Sequence, residues 1–318
     1  MTKRNWLLPA IVGIVAVALP FIVQGDYYRH ILILVLVWIT LGTAWNLLGG
    51  YCGCVSFGHA AFFGLGAYGA GLLVFHAGIS PWWGMIVGPA VAVIIGIPIG
   101  LITFRLRGPY FALAMLALGE IFRLVFTNWV SATNGAVGIL IIPAFTSKVA
   151  YYFIGLAIAA AGIYTVYRLM HSKLGYYFVS IREDQDAAEA LGIPTTKYKM
   201  YALIPSALLT GLAGAFYMNY MAYIEPGVVF SLPEISIMMI LVTMVGGAGT
   251  LWGPVLGGAL YVILAELFRT TFGAANVLVF GIIVCLIIMY LPDGFIGDWP
   301  KLKGYFRRGR KASYAGGE

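Results

Sequence analysis

Charge is what this 318-residue sequence has least of. Asp, Glu, Lys and Arg make up 10% of it and only twelve residues are acidic, whereas a water-soluble domain carries about a quarter charged residues. With 61% hydrophobic residues and a mean hydropathy of +0.93, the chain is excluded from the soluble enzyme domains and placed in a bilayer. Cysteine is also scarce. Cys52, Cys54 and Cys285 lie in or beside apolar stretches, which excludes the disulfide framework of a small secreted protein. Catalytic signatures are missing as well: the sequence contains neither His-Glu-x-x-His nor Gly-x-Ser-x-Gly. The nearest approach to a phosphate-cradling loop is Gly304 to Gly309 followed by Arg310 and Lys311, in a basic tail with no strand ahead of it. The chain is therefore expected to be no enzyme and to carry no cofactor. No metal is expected either, because Cys52, Cys54 and His59 offer a Cys-x-Cys-x4-His spacing without a clear fourth ligand.

What is present is a series of apolar runs. A membrane-crossing helix takes about 20 residues, and runs bounded by Pro, Gly or charge fall near 7 to 23, 31 to 48, 57 to 75, 82 to 104, 109 to 126, 149 to 168, 200 to 223, 234 to 246, 255 to 270 and 276 to 291. The expected fold is all-α and polytopic, with about ten transmembrane helices. Residues 1–300 form the transmembrane domain and 301–318 a basic tail. Lys3 and Arg4 precede the first run as in a signal peptide, and Ala16-Val17-Ala18 resembles a cleavage site, but the run continues to Val23 and reads as an uncleaved helix. With both termini cytoplasmic, fifteen of the nineteen Lys and Arg fall on the cytoplasmic side. Arg29, Lys148 and Arg269 fall outside, and Arg123 within a span. That asymmetry satisfies the positive-inside rule. It gives the net charge of +7 a membrane explanation, and no nucleic-acid partner is expected.

The scarce acids are not spread evenly. Glu183, Asp184, Asp186 and Glu189 fall within seven residues, beside Arg182, in the stretch "SIREDQDAAEALGIP". Ser180 followed by Glu183 has the form of a capping box, which predicts a helix starting at Ser180. Ala187, Ala188 and Ala190 propagate it, and Gly192 with Pro194 stops it after about three turns. Ile181, Ala188 and Leu191 give it one apolar side. Two readings fit: a solvated loop helix on the membrane surface, or a helix that docks a cytoplasmic partner. The second predicts that Ala188→Trp clashes with that partner while Asp186→Asn is mild.

Two further stretches, "GGYCGCVSFGHAAFFGLG" (49–66) and "GGAGTLWGPVLGG" (246–258), interrupt spans with glycine. Paired interruptions of this kind point to a transport path, and glycines that merely let helices approach closely are the alternative. Candidate path residues are Ser56, Phe57, Gly58 and His59 in the first stretch and Gly246, Gly247 and Gly249 in the second. Glu120 joins them as an intramembrane acid. Glu120 with Arg123, and Glu266 with Arg269, stand three apart on a helix, so each acid is placed to neutralise its base.

"SIREDQDAAEALGIPTTKYK" (180–199) resembles the cytoplasmic coupling loop of ABC importer permeases of the branched-chain amino acid family, with its Arg-Glu-Asp-x-x-Ala-Ala-x-x-x-Gly-Ile pattern. "NLLGGYCGCVSFGHAAFFGLGAYGA" (46–70), "LRGPYFALAMLALGEIFRLV" (106–125) and "VGGAGTLWGPVLGGAL" (245–260) resemble the LivM-type subunit of that family, in the expected order. "ATNGAVGI" (132–139) departs from the Thr-Gly-Gly motif such subunits usually carry there. The resemblance implies a permease domain over 1–300, with a coupling loop at 171–199 in which Ser180, Arg182, Glu183, Asp184, Asp186, Ala187, Ala188, Leu191 and Gly192 meet the ATPase. It implies a second permease subunit, two cytoplasmic ATPase subunits, and an extracytoplasmic binding protein that delivers a branched-chain or similar amino acid. Location in a bacterial inner membrane, in contact with lipid, follows. Two alternatives stay open: a permease of the same family for urea, short amides or small aromatic acids, and a proton-coupled secondary transporter using Glu120 and Glu266.

Overall fold

The computed structural model describes residues 7–23, 25–273, 276–291 and 294–297; the basic tail at 301–318, Lys3 and Arg4 lie outside them. In chain order the helices are α1 (Leu7–Ile22), α2 (Asp26–Trp45), α3 (His59–Ala77), α4 (Pro81–Thr103), α5 (Pro109–Asn128), α6 (Val130–Thr133), α7 (Lys148–Met170), α8 (Lys173–Glu183), α9 (Gln185–Ala190), α10 (Thr195–Met221), α11 (Pro226–Val229), α12 (Met238–Gly246), α13 (Gly253–Phe272), α14 (Asn276–Tyr290) and α15 (Gly294–Gly297). The ten expected spans coincide with ten helical runs among the described residues, and eight of these are long and apolar enough to cross a membrane. The other two, α1 and α14, are 16 and 15 residues long.

The run expected at 234–246 is longer than its apolar core suggests. Pro226 to Gly246 forms one 21-residue candidate span, because α11 and a π-helical turn at Leu232–Ile237 extend α12 towards its N-terminus. Ser231 Oγ accepts from Glu234 N at 3.3 Å and caps that turn. A second π-helical turn, Asn46–Tyr51, continues α2. The only strands among the described residues, β1 (Ile139–Leu140) and β2 (Tyr223–Ile224), pair antiparallel with Ile139 opposite Ile224.

α10 is the most central element, packed against α3 and α4 with α2 beside it. Lipid and leucine are equally apolar, so helix association in a bilayer relies on close van der Waals approach, which small residues permit. A β-carbon at Gly66 on α3 would overlap the Gly211 carbonyl on α10, and one at Gly88 on α4 would overlap the Gly66 carbonyl. At Gly211 it would stand 2.7 Å from the Ala92 β-carbon. Three backbones thus meet with no side chain between them. By contrast α5 is the least enclosed of the eight long apolar helices, burying only Phe111, Met115 and Gly119.

Successive spans reverse direction, so the 46–58, 104–108, 171–194 and 247–252 connections gather at one end of the bundle. The strands lie at the other.

Candidate coupling surface and translocation site

The acid-rich stretch folds as a helical hairpin, α8–α9, and its capping differs from the expected one. Ser172 starts α8, its Oγ accepting from Leu174 N at 3.2 Å, and the helix runs through Ser180 without interruption to Glu183. Ser180 is therefore no cap: its hydroxyl donates to the Tyr176 carbonyl, 2.8 Å away and one turn back. The break comes at Asp184, whose backbone is extended (φ −158°, ψ 110°). Its Oδ1 accepts from Asp186 N at 2.9 Å and from Ala187 N at 3.0 Å, capping α9. The stop is where it was expected. Gly192 adopts φ +81°, a conformation costly for other L-residues, and Ile193 N closes back onto the Ala188 carbonyl at 3.1 Å.

Each of the four acids has a partner. Glu183 accepts from Arg182 Nη2 at 2.6 Å, and Asp184 holds the cap. Arg107, from the α4–α5 connection, forms ion pairs with Asp186 and, at 2.8 Å, with Glu189. Glu189 Oε1 also accepts from Gln185 Nε2 at 2.9 Å and Thr195 Oγ1 at 2.6 Å, and Lys199 Nζ donates to Gln185 Oε1 at 2.6 Å. The hydrogen bonds from Gln185 and Thr195, helped by the charges of Arg107 and Lys199, hold the Glu189 carboxyl below the usual range. The charge is spent on fastening a short helix to the bundle.

That fastening fixes which face is free. Ala188 and Ile181 are buried against the chain itself, so Ala188→Trp would overpack this chain's own interior before it reached any partner. Ala187 and Ala190 are exposed, and Leu191 and Tyr176 are 82% and 77% exposed. The outward face is mixed, with these small and apolar residues standing beside the exposed carboxylates of Glu183 and Asp186.

The two glycine-rich stretches lie beneath this hairpin, and they meet each other. Asn46, at the start of the π-helical turn Asn46–Tyr51, accepts from Gly249 N through Oδ1 and donates to the Thr250 carbonyl through Nδ2, both at 2.8 Å. Gly246 and Gly247 close α12 against α13: a β-carbon at Gly246 would overlap the Gly253 carbonyl.

Ser56 and His59 are fully buried. The Ser56 carbonyl accepts from Trp45 Nε1 at 2.9 Å, and its hydroxyl accepts from Gly58 N at 3.3 Å. His59 Nε2 lies 2.9 Å from Ser206 Oγ, which donates to the Ala44 carbonyl at 2.7 Å. Ala60 N, an open donor of the first turn of α3, is satisfied by Ser236 Oγ at 2.9 Å. Phe57 is half-buried, and a β-carbon at Gly58 would lie 2.7 Å from the Met115 carbonyl of α5. The 56–60 stretch thus binds α2, α3, α10 and the π-helical turn Leu232–Ile237 to one another.

Glu120 stands apart, on the open side of α5. Its carboxylate accepts from Arg123 Nε at 2.9 Å, with the two side chains 44% and 34% exposed. Glu266 and Arg269 pair likewise at 2.8 Å. A cavity of about 300 Å³ opens between the hairpin and the α4–α5 connection, lined by Cys52, Cys54, Leu106, Phe111, Gln185 and Lys199.

Asn46, Arg107 and Ser206 are the residues that sequence reasoning missed. Their partners lie 204, 79 and 162 positions away, and no local pattern signals such pairing.

Residues 27–291 match the family described as "Branched-chain amino acid transport system / permease component". The chain is 27% identical to the high-affinity branched-chain amino acid transport system permease protein LivM of Salmonella typhimurium, over 92% of this chain and 75% of that one. The same figures hold for LivM of Escherichia coli. A probable LivM permease protein of Methanocaldococcus jannaschii is 25% identical over 68% of this chain and 69% of its own.

Proposed function

From the branched-chain amino acid transport system / permease component family, to which this chain belongs, we propose that it forms half of the membrane path of an ATP-driven importer for branched-chain or similar amino acids. The chain is a multi-pass plasma-membrane protein, paired with a second permease subunit. Two cytoplasmic ATPase subunits grip the coupling hairpins, and an extracytoplasmic binding protein delivers substrate and sets much of the selectivity. The path runs along α5, where the Glu120–Arg123 pair is left uncovered by this chain, and the two glycine turns stand at its cytoplasmic end.

The observation that carries this reading is the α8–α9 hairpin. All four of its acids have partners within the chain, and among them Leu191 stands 82% exposed, with Ala187 and Ala190 beside it. A free surface loop has no use for an outward Leu on a helix pinned this firmly. A groove in a partner protein does, because burying a leucine side chain stabilises an interface by about 2 kcal/mol.

The test uses the complex in vesicles loaded with ATP. Uptake persists after an uncoupler is added, and Leu191→Glu loses both the ATPase subunits on purification and the uptake. Uptake that stops with the uncoupler while ATP remains points to a proton-coupled carrier instead. Retention of the ATPases by Leu191→Glu defeats the docking assignment.

A further inference from the structure

Arg182 stands one residue before the end of α8, next to the docking helix. Its side chain keeps 37% exposure, but the stem and one terminal nitrogen turn inward beneath the hairpin. A β-carbon at Gly53 would stand 2.9 Å from Arg182 Cγ and 3.0 Å from its Cα, and Gly53 itself has φ +73°. Position 53 is thus glycine on two grounds, a left-handed backbone and the arginine stem lying directly upon it. Beyond the stem, Nη1 donates to the Gly50 carbonyl at 3.3 Å. The same nitrogen is 2.8 Å from the place a Gly249 β-carbon would take. Nε and Nη2 both reach Glu183 Oε1, at 3.1 and 2.6 Å, and this fork fixes the plane of the guanidinium.

One side chain therefore touches both glycine turns. Those turns are already joined: Asn46 binds Gly249 N and the Thr250 carbonyl, and a β-carbon at Gly50 would stand 2.6 Å from Gly249 N. The first turn leads from α2 into α3 and the second from α12 into α13. Coupling between sites travels through contiguous contacts that shift as a body, and here the contacts run from hairpin to Arg182, from Arg182 to both turns, and from turn to turn through Asn46.

We propose that Arg182 is a positioning residue that transmits displacement of the docking hairpin to the 50–53 and 247–250 turns together, so that ATPase closure and opening of the path proceed as one step. The proposal rests on the docking role of α8–α9. It assigns Arg182 to the inner side of that joint, away from the ATPase contact.

The test measures uptake per ATP hydrolysed in the reconstituted complex with its binding protein. Arg182→Gln keeps the ATPase subunits bound and hydrolysing, while uptake per ATP falls about tenfold. Gly53→Ala, which lifts the arginine stem from the other side, gives the same uncoupling, and Arg182→Lys, which retains a cationic donor, recovers part of the ratio. A general loss of stability lowers the amount of complex and leaves this ratio unchanged. A ratio within twofold of wild type in Arg182→Gln overturns the proposal. Loss of the ATPases from Arg182→Gln overturns it too, by moving the residue to the docking face. Failure of the docking reading itself shows separately, as retention of the ATPases by Leu191→Glu.

Discussion

Asn46 is one amide with a long reach. Buried at the end of α2, it answers a donor and an acceptor more than 200 positions away. Asn46→Ala leaves Gly249 N–H and the Thr250 carbonyl without that partner, and an unanswered buried polar group costs about 1–3 kcal/mol. The variant should therefore unfold at a lower temperature in detergent, by several degrees, with its helix content intact; an unchanged midpoint would mean that solvent replaces the amide. Sequence alone could not have singled this residue out. An Asn in an apolar run advertises a need for partners, but nothing near position 46 says that the partners belong to the turn after α12. The Glu120–Arg123 and Glu266–Arg269 pairs were legible for the opposite reason, since a spacing of three along a helix brings two side chains together without help from the rest of the fold.

The α8–α9 hairpin shows where local reading stops. Ser180-x-x-Glu183 has the residues of a capping box, but a cap acts only where a helix begins, and α8 arrives at Ser180 already wound from Lys173. The amides that the serine would have capped are bonded to the preceding turn. Asp184, four positions on, takes the role because the backbone is extended there and two amides lie open. Replacing a cap of this kind by alanine costs about 1 kcal/mol. Asp184→Ala is accordingly expected to loosen α9 and weaken capture of the ATPase several-fold, with faster hydrogen exchange at Asp186 and Ala187. Ser180→Ala leaves both unchanged. Equal effects from the two would restore the capping box. The end of the hairpin was read correctly because Gly192 acts through its own backbone and needs no neighbour. The run at 234–246 was read short because Ser231, Pro233 and Glu234 break the apolar pattern, although the chain stays helical through them as a π-helical turn.

For the whole molecule, hydropathy was enough to find ten helical runs in order, because the bilayer imposes length and apolarity on each span independently. Their arrangement was not legible, since every span presents the same apolar composition to its neighbours and to lipid. Sidedness rests on the distribution of Lys and Arg. Reporter fusions after residue 175 and at the C-terminus should both read cytoplasmic, and an outside signal at either refutes the topology. The backbone contact among α3, α4 and α10 has a mechanical corollary. Packed helices slide past one another by letting side chains hop between rotamers, a form of lubrication that glycine does not supply. Where the Gly66 carbonyl faces Gly88 and the Gly211 carbonyl faces Gly66 directly, there is little clearance for shear, so these three helices are built to move as a single keel. In the proposed importer, alternation of access is accordingly hinged at the rim around it.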